Sequence, residues 1–259
     1  MSEAWLAGRG AVVTGGGRGI GAAVARALSA AGAAVVVSSR TEAEVKSVAA
    51  ALSAGGAKAL AARCDVTSEA EVKRLGVEAL MFMGAVDILV NNAGVSGSAP
   101  LAKMTLADWN RMLSVNATGT FLCTREFVPA MVTRGWGRVI NVASVAGLEG
   151  ARYVAHYSAA KHAVIGFTRS VAAEVAGTGV SVNAVCPGYV DTPMTEETLA
   201  NVEARAGLDR ERALAAVLAT AGQTRLITAD EVAAAVLELC RAGAPNGEAV
   251  VVNPAVRAS

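Results

Sequence analysis

The chain has 259 residues, of which 53% are hydrophobic and 4% aromatic, and its formal net charge is +1. This length allows one large α/β domain or two small ones, with a substantial core. Because basic and acidic residues are intermixed and nearly balanced, no nucleic-acid partner is expected.

Cysteine usage and the hydropathy pattern exclude further classes of protein. The four cysteines are widely spaced without a C-x-x-C pair, and His156 and His162 are the only histidines. This pattern favours a reducing compartment and no metal site. Residues 1–6 lack a basic region followed by an apolar one, so no secretory signal is expected. No run of about twenty apolar residues lacks charges or several glycines. A cytoplasmic protein without membrane contact is therefore predicted.

The chain begins with a strand, a glycine turn and a helix. Residues 11–13 are apolar, residues 14–21 read T-G-G-G-R-G-I-G, and residues 22–31 have a helical composition. Glycines allow a tight turn and a close backbone approach to a ligand, and the free N–H groups at the start of the helix attract phosphates. The spacing G-x-x-x-G-x-G predicts a nucleotide-binding turn, with a simple tight loop as the alternative.

The second strand, residues 33–38, bears on which nucleotide binds. It is followed by Ser39 and Arg40, and no carboxylate stands at its end to bind the adenosine ribose 2′-hydroxyl. Arg40, together with Arg18 in the glycine turn, would form charge-assisted hydrogen bonds to a 2′-phosphate. NADP(H) is therefore favoured over NAD(H). Two alternatives stay open: Arg40 caps a solvated loop, or Glu42 takes the ribose role.

The middle of the chain alternates helices with strands. Helices are predicted over residues 41–54, 68–83 and 105–134, and strands over residues 57–63 and 86–90. The second of these strands runs into Asn91-Asn92-Ala93-Gly94, which forms either an ordinary turn or part of a ligand crevice at the carboxyl ends of parallel strands. Asn116 is unusual in the middle of a helix because its side chain competes for backbone groups.

The segment from Ser144 to Lys161 carries the candidate chemistry. Residues 138–143 are an apolar strand whose end would present Ser144 beside Tyr157. Tyr157 and Lys161, four positions apart, project from one face of a helix. A neighbouring ammonium stabilises a phenolate, so Lys161 is expected to lower the pKa of Tyr157 and make the phenol a proton donor or acceptor. Taken alone, such a pair also occurs on solvated helix faces.

A candidate lid follows. Pro187-Gly188 interrupts regular structure on the crevice side, and residues 196–212 are charged, with Gly207 among them. We predict two short helices over the site, a lid of about residues 189–215. A solvated surface helix is the alternative.

The last elements complete the prediction of the fold. A strand is expected over residues 180–185, a helix over residues 228–241 and a strand over residues 248–253. The alternation of strands and helices predicts an α/β fold, a doubly wound (Rossmann) parallel sheet of seven strands with helices on both faces. Residues 1–259 would form a single domain.

These segments, in this order, resemble the short-chain dehydrogenase/reductase family over nearly the whole chain. Residues 14–21 resemble the family's T-G-x-x-x-G-I-G turn, residues 91–94 its N-N-A-G motif, and Pro187-Gly188 its P-G turn beside the nicotinamide. Asp65 resembles the residue that contacts adenine, and Thr192 the residue that bonds the carboxamide. The catalytic residues that the resemblance implies are Asn116, Ser144, Tyr157 and Lys161.

The resemblance also implies a mechanism. Hydride passes between the nicotinamide and a carbonyl carbon while Tyr157 gives or takes the proton on oxygen. Lys161 would lower the pKa of Tyr157 and hydrogen-bond the nicotinamide ribose. Ser144 would hold the substrate oxygen, and Asn116 would fix a water that links Lys161 to solvent. No metal is implied. The implied cofactor-binding residues are Gly15, Gly17, Arg18, Gly19, Ile20, Gly21, Ser39, Arg40, Asp65, Val66, Asn92, Ala93, Gly94, Tyr157, Lys161, Pro187, Gly188, Val190 and Thr192.

Within the family, residues 182–188 and the cofactor cations most resemble ketoreductases of 3-oxoacyl or polyketide thioesters. The leading hypothesis is an NADPH-dependent reductase of such a thioester or a related ketone. One alternative is an NAD(P)-dependent dehydrogenase that oxidises a hydroxyacyl-CoA, a cyclic alcohol or a steroid. A remote alternative is a catalytically silent NADP(H)-binding subunit.

Two further expectations concern partners. Oligomers are usual in the family, so a homotetramer or homodimer is expected, although Asn253-Pro254-Ala255 replaces the usual glycine pair after the last strand. Arg134 is a candidate contact for an acyl carrier, whereas Thr178 stands where a cation is expected.

Overall fold

The structure of the chain is a computed structural model that describes residues 4–253. It contains seven strands, whose bounds are β1 (Gly10–Thr14), β2 (Ala34–Ser39), β3 (Ala59–Arg63), β4 (Ile88–Asn91), β5 (Gly137–Val142), β6 (Val180–Pro187) and β7 (Ala249–Val252). All pairings are parallel, and the order across the sheet is β3-β2-β1-β4-β5-β6-β7. The chain therefore starts in the middle of the sheet and winds outward twice, which confirms the predicted doubly wound sheet.

Helices connect successive strands, as parallel pairing requires. They are α1 (Gly19–Ala30), α2 (Glu42–Ala54), α3 (Glu69–Met83), α4 (Leu106–Leu113), α5 (Gly119–Arg134), α6 (Ala155–Glu174), α7 (Pro193–Ala206), α8 (Arg210–Thr220) and α9 (Ala229–Cys240).

Alternation along the strands divides the core between the two faces of the sheet. Val13 of β1 packs in one cluster with residues of α1, α2 and α9, such as Leu28 and Val236. The preceding residue, Val12, packs in the other cluster with residues of α3 and α5, such as Leu75 and Phe127. Successive side chains of a strand point to opposite faces, so a continuous apolar strand requires helices on both sides.

The single helix predicted over residues 105–134 is wrong in one respect. A π-helical turn, Ser114–Thr118, separates α4 from α5. Asn116 lies in this turn, and its amide nitrogen donates to the carbonyl of Met112, four residues earlier, at 3.0 Å. Its side chain also bonds Val95, outside the helix. Asparagine is a poor helix residue because its side chain competes for backbone groups. Here that competition occurs in the π-helical turn, where the helix is locally wider.

Two strand ends also differ from the prediction. β5 stops at Val142, and Ser144 instead precedes a short 3₁₀ turn, Val145–Gly147, where its hydroxyl accepts from the amide of Ala146 at 3.2 Å. β6 continues through Pro187, two residues beyond the predicted end.

The predicted pair of lid helices is present as α7 and α8, which extend to Thr220. Gly207 joins them at φ 63°, a left-handed conformation that glycine adopts without strain. Leu199 and Val217 belong to a small apolar cluster that the two helices share, apart from the main core.

Candidate active site

A cleft opens at the carboxyl ends of β1, β2 and β4, where the glycine turn leads into α1. Asn92, just after β4, donates its amide to the carbonyls of Thr14 at 2.9 Å and Gly15 at 3.0 Å. Gly15 has φ 63°, and a Cβ atom there would stand 2.8 Å from this amide. A Cβ on Gly21 would stand 2.2 Å from the carbonyl oxygen of Gly15. These contacts require glycine and fix the shape of the turn.

Most of the predicted cofactor-binding residues line this cleft, whereas Gly21, Tyr157, Lys161, Pro187, Gly188 and Val190 lie outside its lining. The predicted residues that line it are Gly15, Gly17, Arg18, Gly19, Ile20, Ser39, Arg40, Asp65, Val66, Asn92, Ala93, Gly94 and Thr192. The lining residues that sequence reasoning missed are Thr41, Glu44, Cys64, Val95, Val115, Pro193 and Met194. Most of these are sequence neighbours of predicted positions.

One carboxylate of α2 enters the cleft, and it is not the one considered from the sequence. Glu42 pairs with Lys46 one helical turn away at 2.7 Å and does not line the cleft. Glu44 lines it and lies 3.9 Å from Arg18. No sequence signal separates these two glutamates, because both stand in the first turn of the helix.

Asp65, predicted to contact adenine, is held at the cleft by its neighbours. Its carboxylate accepts from the amide and the hydroxyl of Thr67 at 3.0 and 2.8 Å. Burial acts to raise the pKa of Asp65, but the bonds from Thr67 and the charges of Arg40 and Arg63 outweigh it and leave that pKa below its ordinary value. The carboxylate is therefore ionised.

Asn116 links the loop after β4 to the helical layer. It is buried, its Oδ1 accepts from the amide of Val95 at 3.1 Å, and its Nδ2 donates to the carbonyl of Val95 at 3.0 Å. A Cβ atom on Gly94 would stand 2.8 Å from Asn116 Oδ1 and 3.8 Å from Lys161 Nζ. Gly94 therefore brings the loop against both predicted catalytic side chains.

Ser144, Tyr157 and Lys161 meet where β5 ends and α6 begins. The hydroxyl of Ser144 lies beside the Tyr157 phenol, where it acts to lower the pKa of that phenol, and it donates to the carbonyl of Pro187 at 3.5 Å. Lys161 Nζ lies 5.8 Å from the centre of the Tyr157 ring and donates to the carbonyl of Val142 at 2.8 Å. The hydroxyl of Ser158 donates to the carbonyl of Ala146, which fastens the turn after Ser144 to α6. Ser144 is thus held beside two residues that lie 13 and 17 positions later in the chain.

The titration of this group differs from the prediction. Burial lowers the pKa of Lys161 from 10.5 to about 8. Burial also raises the pKa of Tyr157 above its ordinary value, and the neighbouring Ser144 hydroxyl acts in the opposite direction. The prediction that Lys161 lowers the pKa of Tyr157 is not borne out, because the ammonium is directed at a strand carbonyl and the opposing influence on the phenol is Ser144.

The segment predicted to form a lid begins at the cleft. Thr192 precedes α7 and packs on the glycine turn, since a Cβ on Gly19 would lie 3.2 Å from its methyl carbon. The turn before it is braced by Gln223, which accepts from the amide of Tyr189 at 2.6 Å. At the far end of α7, Arg205 donates to the carbonyl of Ser98 at 3.0 Å. This last contact, between residues 107 positions apart, had no sequence signal.

A family model described as short chain dehydrogenase matches residues 9–203 of the chain. The chain belongs to this family.

Similar proteins of the short-chain dehydrogenase family are named for both reduction and oxidation. The chain is 45% identical to a 3-oxoacyl-(acyl-carrier-protein) reductase of Synechocystis sp., with 72% of this chain and 76% of the relative covered. It is 37% identical to a D-beta-hydroxybutyrate dehydrogenase of Rhizobium meliloti, with 88% and 90% covered. A crystal structure of actinorhodin polyketide ketoreductase with NADPH superposes with a TM-score of 0.90 at 36% identity and covers 95% of each chain.

The structure of this short-chain dehydrogenase also shows the surroundings of Arg134 and of Asn253, the two positions considered for contacts with partners. Arg134 ion-pairs with Asp87 at 3.8 Å, just before β4 begins. It therefore lies at the amino ends of the strands, opposite the cleft and away from the start of α6. Of the unusual tail, Asn253 donates to the carbonyl of Ala221 at 3.0 Å, and Pro254 and Ala255 lie outside the described residues.

The part of this short-chain dehydrogenase that the structure describes contains neither a metal-binding cluster nor a membrane-spanning helix. Among residues 4–253, no three His, Cys, Asp or Glu side chains are grouped to hold a metal ion. No helix in that range is long and apolar enough to cross a membrane.

Proposed function

We propose that this protein is an NADPH-dependent reductase of ketones. The observation that carries the proposal is the group of Ser144, Tyr157 and Lys161 beside a cleft lined by the glycine turn and two arginines. When bound, NADPH supplies the hydride. Tyr157 donates the proton to the carbonyl oxygen, and Ser144, which lies beside that phenol, holds the oxygen.

Lys161 and Asn116 support this proton transfer in the proposed mechanism. Lys161 binds the nicotinamide ribose and resupplies the proton to Tyr157. Asn116 positions a water that links Lys161 to solvent. The position of Gly94 supports this arrangement, because this residue of the cleft lining lies against both the Asn116 and the Lys161 side chains.

The cofactor preference rests on charge. Arg18 and Arg40 line the same end of the cleft, where two guanidinium groups fit a 2′-phosphate dianion. The structural neighbour with NADPH supports the same preference.

For the substrate, we propose a 3-oxoacyl thioester or a related ketone, because the relatives include 3-oxoacyl and polyketide ketoreductases. The second candidate is oxidation of a secondary alcohol, which the relative named D-beta-hydroxybutyrate dehydrogenase favours. A catalytically silent subunit is disfavoured by the assembled catalytic group. We further propose that the protein is cytoplasmic and forms a homotetramer or a homodimer.

The test is a titration of nicotinamide fluorescence with NADPH and NADH, followed by a screen of 3-oxoacyl thioesters and cyclic ketones for NADPH consumption. We expect tighter NADPH binding and consumption that depends on the ketone. Tighter NADH binding with alcohol-dependent reduction of NAD would overturn the proposal in favour of the second candidate.

A further inference from the structure

Glu44 occupies a position in the cofactor cleft that the proposed function leaves unexplained. A Cβ atom on Gly17 would stand 2.7 Å from Glu44 Cβ and 3.1 Å from its Oε2. The carboxylate therefore lies against the glycine turn. It shares the cleft lining with Arg18, Ser39 and Arg40, so a full negative charge stands among the groups that would meet the adenosine ribose.

The end of β2 supplies no competing carboxylate. Ser38 is fully buried, and the hydroxyl of Ser39 already bonds the amide and the carbonyl of Thr41 at 3.2 and 3.1 Å. In dinucleotide folds a carboxylate at this end of the cleft accepts from the ribose 2′-hydroxyl. Here that carboxylate comes from the first turn of α2 instead of the end of β2.

We propose that Glu44 is a cofactor-selectivity residue, which accepts a hydrogen bond from the ribose 2′-hydroxyl of NADH and repels the 2′-phosphate of NADPH. The cleft thereby binds NADH as well as NADPH, and Glu44 limits the preference that Arg18 and Arg40 create. This inference rests on the proposed function, because it assumes that the two arginines bind the 2′-phosphate.

The ion pair with Arg18 does not remove this effect. The two charged groups are 3.9 Å apart, and their side chains are 61% and 34% exposed. Such a pair is weak and is easily exchanged. Arg18 is therefore free to turn toward a phosphate, whereas Glu44 stays packed against Gly17 and faces the incoming dianion.

The test compares two isosteric variants, Glu44→Gln and Glu42→Gln. Both remove one acidic charge from the first turn of α2, so any effect on the helix dipole is matched. Dissociation constants for NADPH and NADH are measured by nicotinamide fluorescence, with no turnover required. Glu44→Gln should tighten NADPH about tenfold, the effect of removing one nearby like charge. It should weaken NADH about threefold, because the 2′-hydroxyl loses a charged acceptor.

The outcomes separate the inference from the proposed function. The inference is supported if Glu44→Gln binds NADPH more tightly than wild type and if this gain is smaller at high salt. The NADPH affinity of Glu42→Gln should equal that of wild type. Equal NADPH-to-NADH ratios in wild type and both variants overturn it and leave the proposed function standing, provided that wild type binds NADPH. Failure of wild type to bind either nucleotide overturns both.

Discussion

In the cofactor half of the site, the charged side chains at the ends of β1 and β2 lie largely in water, and Arg18 is 61% exposed on its side chain. In the half that we propose to be catalytic, formed by Ser144, Tyr157 and Lys161 and called the catalytic half below, the lysine is only 5% exposed and bonds a backbone carbonyl. An exposed charge is screened and can change partners at little cost. A buried charge is costly to maintain, and its pKa shifts instead.

This difference separates the tasks of the two halves. The cofactor half can bind and release a charged nucleotide, because its own ion pairs are weak. The catalytic half holds titratable groups out of water, where a small change in hydrogen bonding alters their protonation. We therefore expect substitutions in the catalytic half to change turnover, and substitutions in the cofactor half to change the affinity for the nucleotide.

The largest expected effect is that of Tyr157→Phe. Removing the hydroxyl removes the proton donor, and turnover should fall by about a thousandfold, within the usual range for general acid–base catalysis. NADPH affinity should stay within about twofold, since a single neutral hydroxyl is lost. Steady-state ketone reduction and fluorescence titration measure the two quantities. Tyr153→Phe, at a tyrosine that is 59% exposed, is the control. Residual activity of more than a few per cent would refute the assignment.

The next effect belongs to the cofactor half. Replacing Arg18 and Arg40 together by alanine should weaken NADPH about a hundredfold, because two charge-assisted contacts are lost. NADH should change by less than about threefold. Titrations at low and high salt measure how much more NADPH affinity than NADH affinity is lost. This excess should be smaller at high salt, because salt screens the charges. Arg26→Ala, an exposed arginine of α1 outside this cleft, is the control. Equal losses for both nucleotides would show that the arginines do not bind the 2′-phosphate.

Much of the cofactor half could be predicted because its contacts are local or follow from strand ends. Residues 14–21 are contiguous, and parallel pairing of β1 with β4 brings Asn92 to the turn without further information. Glu44 could not be predicted, because the direction of a first-turn side chain depends on how α2 leaves β2. Glu42 stands in the same turn and pairs with Lys46 instead.

In the catalytic half, the sequence predicts that Ser144, Tyr157 and Lys161 lie together, but it does not predict their environment. The sequence indicates that Asn116 is unusual in a helix, but its bonds to Val95, 21 residues away, depend on the fold. The direction of the Tyr157 pKa likewise depends on burial and on which neighbour lies closest to the phenol. Spacing within one helix brings Lys161 near but does not determine where its ammonium is directed.

The smallest expected effect is the change with pH in the contribution of the buried Lys161 to the free energy of unfolding. The pKa of Lys161 falls from 10.5 to about 8 on folding, so between these values the unfolded chain holds a proton that the folded chain has released. The contribution of this residue to stability therefore rises with pH across that window, and below it the full penalty applies. The slope is at most about 1.4 kcal/mol for each pH unit.

The measurement is the free energy of unfolding of wild type minus that of Lys161→Met, from about pH 7 to about pH 9.5. The difference should rise with pH. A difference is needed because burial raises the pKa of Cys64 and of Cys240 to about 12, so each thiol stabilises the fold less as pH rises through its unfolded value of 9.0. This opposite trend is present in both proteins and cancels. Lys103→Met, at an exposed lysine, should give a flat difference. A flat difference for Lys161→Met as well would mean that the ammonium is no more buried than the charges of the cofactor half, and the contrast between the two halves would fail.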